Sequence, residues 1–202
     1  MIANEPEEMP NGQQTAGQQT AGQQTAEQQT AEQQPAAPGR KLFFALWPDA
    51  ASRAALATLQ APVAGRLTAA AKLHLTLAFL GHVPADRVPA LLAVRDRLAV
   101  PPLRLVIDCY GYFARPRIAW AGMTQVPAGL VALHEELVRE LDAAGFSAAT
   151  HGSFKPHVTL AREARHAPPD APGTPVVWDV DSVVLVESLP GGRYVAVDAA
   201  GA

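Results

Sequence analysis

One four-residue pattern occurs twice in this chain, as His74-Leu75-Thr76-Leu77 and as His157-Val158-Thr159-Leu160. In a strand, successive side chains alternate between faces, so a histidine and a threonine two apart point the same way. The intervening Leu75 or Val158, with Leu77 or Leu160, then points into the layer behind. Each copy therefore demands a strand buried on one face and chemically armed on the other. Two copies brought together would surround one cavity with two imidazoles and two hydroxyls, a set suited to acid–base work on a phosphate.

The residues around the repeat read as an alternation of strands and helices. Lys41 to Trp47 is a buried strand, and Pro48-Asp49 starts a helix to about Gln60. Leu73 to Leu80 is a strand closed by Gly81. Val88, Leu91, Leu92, Val94 and Leu98 recur at helical spacing within Pro84 to Leu98. Strands follow over Leu103 to Phe113 and Arg117 to Met123, divided by a turn at Arg115-Pro116. Leu130, Leu133, Leu137 and Leu141 line one face of a helix from Pro127 to Ala144, stopped by Gly145. His157 to Arg162 carries the second motif, and Val176 to Leu189 and Arg193 to Val197 form a last strand pair. The expected fold class is α+β: two pseudo-symmetric lobes, each an antiparallel sheet with helices on its outer face. The active-site groove lies between the lobes.

Residues 1–39 stand apart from this pattern. Between residues 11 and 36 run five copies of a five-residue unit, beginning at Gly12-Gln13-Gln14-Thr15-Ala16 and ending at Glu32-Gln33-Gln34-Pro35-Ala36. No copy has a large apolar side chain, so the segment cannot offset its ordering entropy by burial. It is expected to be a disordered Gln/Thr/Ala-rich tail, with residues 40–202 forming the folded domain. The tail holds Glu5, Glu7, Glu8, Glu27 and Glu32 and no basic residue, so the net charge of −3 becomes about +2 in the domain. That balance admits an anionic substrate, whereas long duplex nucleic acid calls for a stronger basic footprint. Cys109 is the single cysteine, which excludes an internal disulfide and a thiolate metal cluster. No signal peptide or clean membrane span is visible, so a cytoplasmic protein with no membrane partner is expected.

The wider setting of the repeat is more specific than His-x-Thr alone. The copies lie in Lys72-LHLTLAFLG-His82 and Phe154-KPHVTLAR-Glu163, and the domain opens with Arg40-KLFFALWP-Asp49. This arrangement resembles the two-histidine (2H) phosphoesterase superfamily. Within it, the likeness is to the bacterial and archaeal RNA 2′,3′-cyclic phosphodiesterases, historically named 2′-5′ RNA ligases. It covers essentially Arg40 to Val197, including Phe113-ARPRIAWAG. The resemblance implies hydrolysis of an RNA 2′,3′-cyclic phosphate end to a 2′-phosphomonoester by a monomer without metal or cofactor. A reverse 2′-5′ ligation would be a side activity. It implies His74 as proton donor and His157 as proton acceptor, two near-equivalent sites whose roles the residues themselves do not distinguish. Thr76 and Thr159 would hold the phosphate.

Arg162 falls off the parity of His157 and Thr159, so it reaches a bound phosphate only if the strand end twists or bulges; otherwise it is a surface ion-pair residue. Lys155 is either an RNA backbone contact or a solvated loop lysine, and Pro156 holds it extended ahead of His157. Phe44 and Trp47 are read as core, with base stacking as the alternative. His82, His134, His151 and His166 are read as structural or solvent-facing, and Cys109 as a small buried hydrophobe. Alternative readings keep the groove but change the ligand: a small cyclic nucleotide, a 2′-5′ oligoadenylate or ADP-ribose cyclic phosphate as substrate, or RNA or a nucleotide held by a non-catalytic binding module.

Overall fold

The computed structural model describes residues 39–148 and 153–198. The expectations for residues 1–38 and for His151 fall outside them. Among the described residues ten strands and three α-helices follow one another: β1 Arg40–Leu46, α1 Ala50–Thr58, β2 Arg66–Leu67, β3 Leu75–Val83, α2 Val88–Arg97, β4 Leu103–Ile107, β5 Cys109–Phe113, β6 Ile118–Gly122, α3 Ala128–Ala143, β7 His157–Arg162, β8 Val176–Val180, β9 Val183–Ser188 and β10 Tyr194–Ala196. Local chemistry sets the helix ends. The Asp49 carboxylate accepts the Ser52 N–H at 2.7 Å at the start of α1. After α3, Gly145 adopts φ +73°. Its N–H reaches the Asp142 carbonyl while Phe146 N–H reaches Leu141, the paired bonds that close a helix on a left-handed residue.

All strand pairings among these residues are antiparallel. The main sheet runs β10-β9-β1-β3-β7-β6-β5, with β2 also pairing β7, and β4-β8 form a separate two-stranded sheet. The α+β class and the antiparallel sheets are as expected; β3 meets β7 at Leu75 opposite Val158, and β2 pairs β7 farther along, at Arg66 and Leu67. One face of the main sheet lies under the helices. There Leu42, Phe44 and Leu46 of β1 meet Leu75 and Leu77 of β3, Val158 and Leu160 of β7, and the four leucines of α3. Leu130, Leu133, Leu137 and Leu141 are all essentially inaccessible, so the helical stripe read from the sequence is the face that packs.

Three expectations need correction. Leu103 to Phe113 is two strands, because the chain changes sheets at Asp108: β4 pairs with β8 and β5 with β6. Val176 to Leu189 is likewise two strands in different sheets. The lobes are also not successive halves of the chain, since β9 returns to pair with β1 and β10 adds to its outer edge. The lobe that holds His74 is thus completed by the last strands of the domain.

Candidate active site

The helix-free face of the sheet carries the two motifs side by side. His74 lies one residue before β3 and His157 opens β7. Continuing the antiparallel register from Leu75 opposite Val158 sets His74 across from Thr159 and Thr76 across from His157. The two imidazoles and two hydroxyls therefore form a diagonal square on one face, while Leu75 and Val158 are fully buried behind it.

Each imidazole is held in the same way. His74 Nδ1 lies 2.6 Å from the Lys72 carbonyl and His157 Nδ1 lies 2.8 Å from the Lys155 carbonyl. A carbonyl only accepts, so Nδ1–H donates in both rings and Nε2 is left to exchange protons. This exposes a longer repeat than the four residues first noticed. Lys72-Leu73-His74-Leu75-Thr76-Leu77-Ala78 matches Lys155-Pro156-His157-Val158-Thr159-Leu160-Ala161 at Lys, His, Thr, Leu and Ala. The lysine's carbonyl, not its charge, does the orienting.

Aromatic rings surround both histidines. Trp47 stacks on His74 at a centroid distance of 5.4 Å, with Phe43 at 5.0 Å and the Tyr194 edge at 5.4 Å. His157 has Phe113 edge-on at 5.2 Å and Trp120 at 5.9 Å. Trp120 fits because Gly111 lies across from it on β5; a Cβ there would come within 1.9 Å of the indole. The lysines complete each enclosure, Lys72 Nζ over Tyr194 at 5.8 Å and Lys155 Nζ over Trp120 at 5.6 Å. Lys155 is exposed, rests near the Phe113 and Trp120 rings and, among the described residues, is not paired with a carboxylate. Trp47 belongs to the site wall, whereas Phe44 is core and its neighbour Phe43 faces His74. Phe43, Phe113, Trp120 and Tyr194 were missed, and strand parity on β1 was the signal for Phe43.

This packing desolvates both rings and pulls both pKa values below the ordinary imidazole value of 6.5. The carbonyl hydrogen bonds oppose that shift. Charge on His157 and Arg162 lowers His74 further, and charge on Lys155 and Arg162 lowers His157.

Arg162 reaches the groove through a bulge. Trp120 pairs with Thr159 but Ala119 pairs with Ala161, leaving Leu160 as an extra residue. One inserted residue inverts the alternation beyond it, which turns Arg162 to the side of His157 and Thr159. The bulge is tied down at the Leu160 carbonyl, which accepts from Thr68 N–H at 2.8 Å and Gln60 Nε2 at 2.9 Å. Arg162 makes no ion pair among the described residues; Arg66 takes the neighbouring Glu163 instead.

His74, Thr76, Thr159 and Arg162 line a cavity of about 480 Å³, together with Lys41 and Lys72. Among the described residues no carboxylate lines it. His157 stands beyond its wall on the Trp120 side, within electrostatic reach of His74. The Thr76 and Thr159 hydroxyls have no protein hydrogen-bond partner among the described residues. No group of three or more His, Cys, Asp or Glu among those residues is arranged to hold a metal ion, and none of the helices there is long and apolar enough to cross a membrane.

The other histidines lie apart. His134 is half-buried, its ring stacked on Phe154 at 3.8 Å and its Nδ1 3.1 Å from the Leu77 carbonyl. His82 and His166 are exposed. Cys109 is half-buried in β5.

A helix-backed antiparallel sheet with a paired His-x-Thr groove defines a class of phosphoesterase, and comparison with known proteins gives the family. A family model for the 2′-5′ RNA ligase superfamily matches residues 47–192. The chain is 39% identical over 132 residues to the RNA 2′,3′-cyclic phosphodiesterase of Escherichia coli K12, covering 63% of this chain and 74% of that protein. It is 36% identical over 169 residues to the protein of the same name from Thermus thermophilus, covering 73% and 81%. The crystal structure of E. coli LigT in apo form superposes with a TM-score of 0.70 at 34% identity, over 80% of this chain and 96% of that one. The chain belongs to the 2′-5′ RNA ligase superfamily.

Proposed function

We propose that this protein hydrolyses RNA 2′,3′-cyclic phosphate ends to 2′-phosphomonoesters by metal-independent acid–base catalysis between His74 and His157. The observation that carries the reading is the matched pair of imidazoles, each with Nδ1 committed to a carbonyl and Nε2 free. Relatives at 36–39% identity bear the phosphodiesterase name, and LigT has been crystallised with phosphate and with 3′-AMP.

In this mechanism His157 takes a proton from water as the oxygen attacks phosphorus, and His74 gives a proton to the departing ribose 3′ oxygen. The phosphorus–3′ oxygen bond breaks while the 2′ bond stays. The Lys155 ammonium beside His157 favours the neutral imidazole that a base requires. Charge grows on the non-bridging oxygens toward the transition state, and Thr76, Thr159 and Arg162 donate to them. The reaction run backwards, with a ribose hydroxyl in place of water, would form a 2′-5′ linkage as a side activity. The protein is taken to act as a cytoplasmic monomer, in keeping with its free Cys109.

The deciding experiment incubates the protein with oligonucleotides ending in 2′,3′-cyclic phosphate, in EDTA, and identifies the product. A 2′-phosphomonoester formed at an undiminished rate is the expected result. A 3′-phosphomonoester would reverse the leaving group, and activity lost to EDTA but restored by zinc would replace the mechanism.

The lowered imidazole pKa values set the pH dependence. Protonated His74 is the form that donates, so kcat/KM should fall as pH rises past its free-enzyme pKa, which lies below 6.5. A bound phosphate anion favours the imidazolium and moves the same limb of kcat to higher pH. The two profiles, measured on one substrate, should show that separation; a kcat/KM flat up to pH 9 would remove His74 as the donor.

A further inference from the structure

The cavity lined by His74, Thr76 and Thr159 does not end at those residues. Along β1, Ala45 lies opposite Thr76, Phe43 opposite Phe79 and Lys41 opposite His82. Lys41 is four residues from Ala45, roughly 13 Å along the strand, beyond reach of a phosphate held at Thr76. Its ammonium rests 5.7 Å from the centre of the exposed Phe79 ring and has no carboxylate partner among the described residues. A contact of that kind at an exposed site is weak and easily exchanged for a phosphate. Beyond Lys41 lies a second cavity of about 570 Å³, lined by Arg40, His82 and Leu189. Lys41, Ser188 and Gly192 wall both cavities, so the two adjoin at these residues. The Arg40 guanidinium donates to Glu187 at 2.8 Å, which neutralises the acid on that wall. The His82 ring is oriented by its Nδ1 at 3.2 Å from the Gly39 carbonyl.

The order outward from the motifs is reacting phosphate, aromatic ring, free cation, second cavity. An RNA 3′ end has the matching order: cyclic phosphate, terminal nucleoside, 5′ phosphodiester, preceding nucleotide. A lone nucleoside cyclic phosphate carries its single phosphate at the reaction centre and offers nothing to Lys41.

We propose that Lys41 binds the phosphodiester on the 5′ side of the terminal nucleotide and that the cavity beyond it holds the preceding nucleotide. This rests on the phosphodiesterase reading above and deepens it, making the substrate a polynucleotide end rather than a mononucleotide. The His82 imidazole supplies a stacking surface for that preceding base.

Three substrates separate the contacts: adenosine 2′,3′-cyclic phosphate, the same compound carrying a 5′ phosphate, and the dinucleotide ApA ending in 2′,3′-cyclic phosphate. Lys41→Gln, at an exposed position, should leave kcat/KM on the first unchanged and lower it on the other two. Its salt dependence on those two should weaken, because one screened charge–phosphate attraction is lost. His82→Ala should erase the wild-type preference for ApA over the 5′-phosphorylated mononucleotide. Equal losses on all three substrates, or none on any, would overturn the proposal. Hydrolysis of none by the wild type would instead bring down the phosphodiesterase reading and this proposal with it.

Discussion

Replacing His74 or His157 by alanine should lower kcat on a 2′,3′-cyclic-ended oligonucleotide by about 10² to 10⁴, the usual contribution of a positioned acid or base. Both rings sit on the helix-free face and are only half-buried, so their removal leaves the main core of Leu75, Val158 and the α3 leucines untouched. The double variant should cost little more than the worse single one, because either half of the proton relay is idle without the other. The pH profiles then assign direction. His74→Ala should flatten the alkaline limb and His157→Ala the acid limb; the opposite pattern would exchange their roles. A near-normal rate in either variant would end the two-histidine mechanism.

Thr76→Val and Thr159→Val carry the next largest effect. Valine keeps the branched shape and the strand preference while deleting the hydroxyl. Both hydroxyls face the cavity without a protein partner among the described residues, so their donors are free for a ligand. Loss of one transition-state donor should cost about 10² in kcat, toward the lower end of measured oxyanion-donor effects. The signature matters as much as the size: kcat and kcat/KM should fall together, since the bond strengthens as charge develops. Serine at either position should recover most of the rate. A raised KM with kcat unchanged would mean the threonines hold ground state and transition state alike.

The square of functional groups could be read in the sequence because it depends only on local geometry. Strand alternation fixes which neighbours of a histidine share its face, and two copies of one motif imply one shared cavity. The α3 stripe and its Gly145 stop were readable for the same reason. Arg162 shows the limit. Its parity argued against the groove, and only the bulge at Leu160, held by Thr68 and by Gln60 from the far side of the sequence, reversed it. A bulge depends on what the partner strand and the neighbouring loop offer, which one strand's own residues do not encode.

The site's environment belongs to the tertiary fold in the same way. Tyr194 meets His74 because β9 and β10 return to β1, and Trp120 meets His157 because Gly111 leaves room on the opposite strand. The twin motifs by themselves determined which imidazoles and hydroxyls share a face and their symmetry, since those follow from residue type and a period of two. That both imidazoles are drawn toward the neutral state was decided by long-range packing, because desolvation and nearby charges, Arg162 on both rings and Lys155 on His157, act through space.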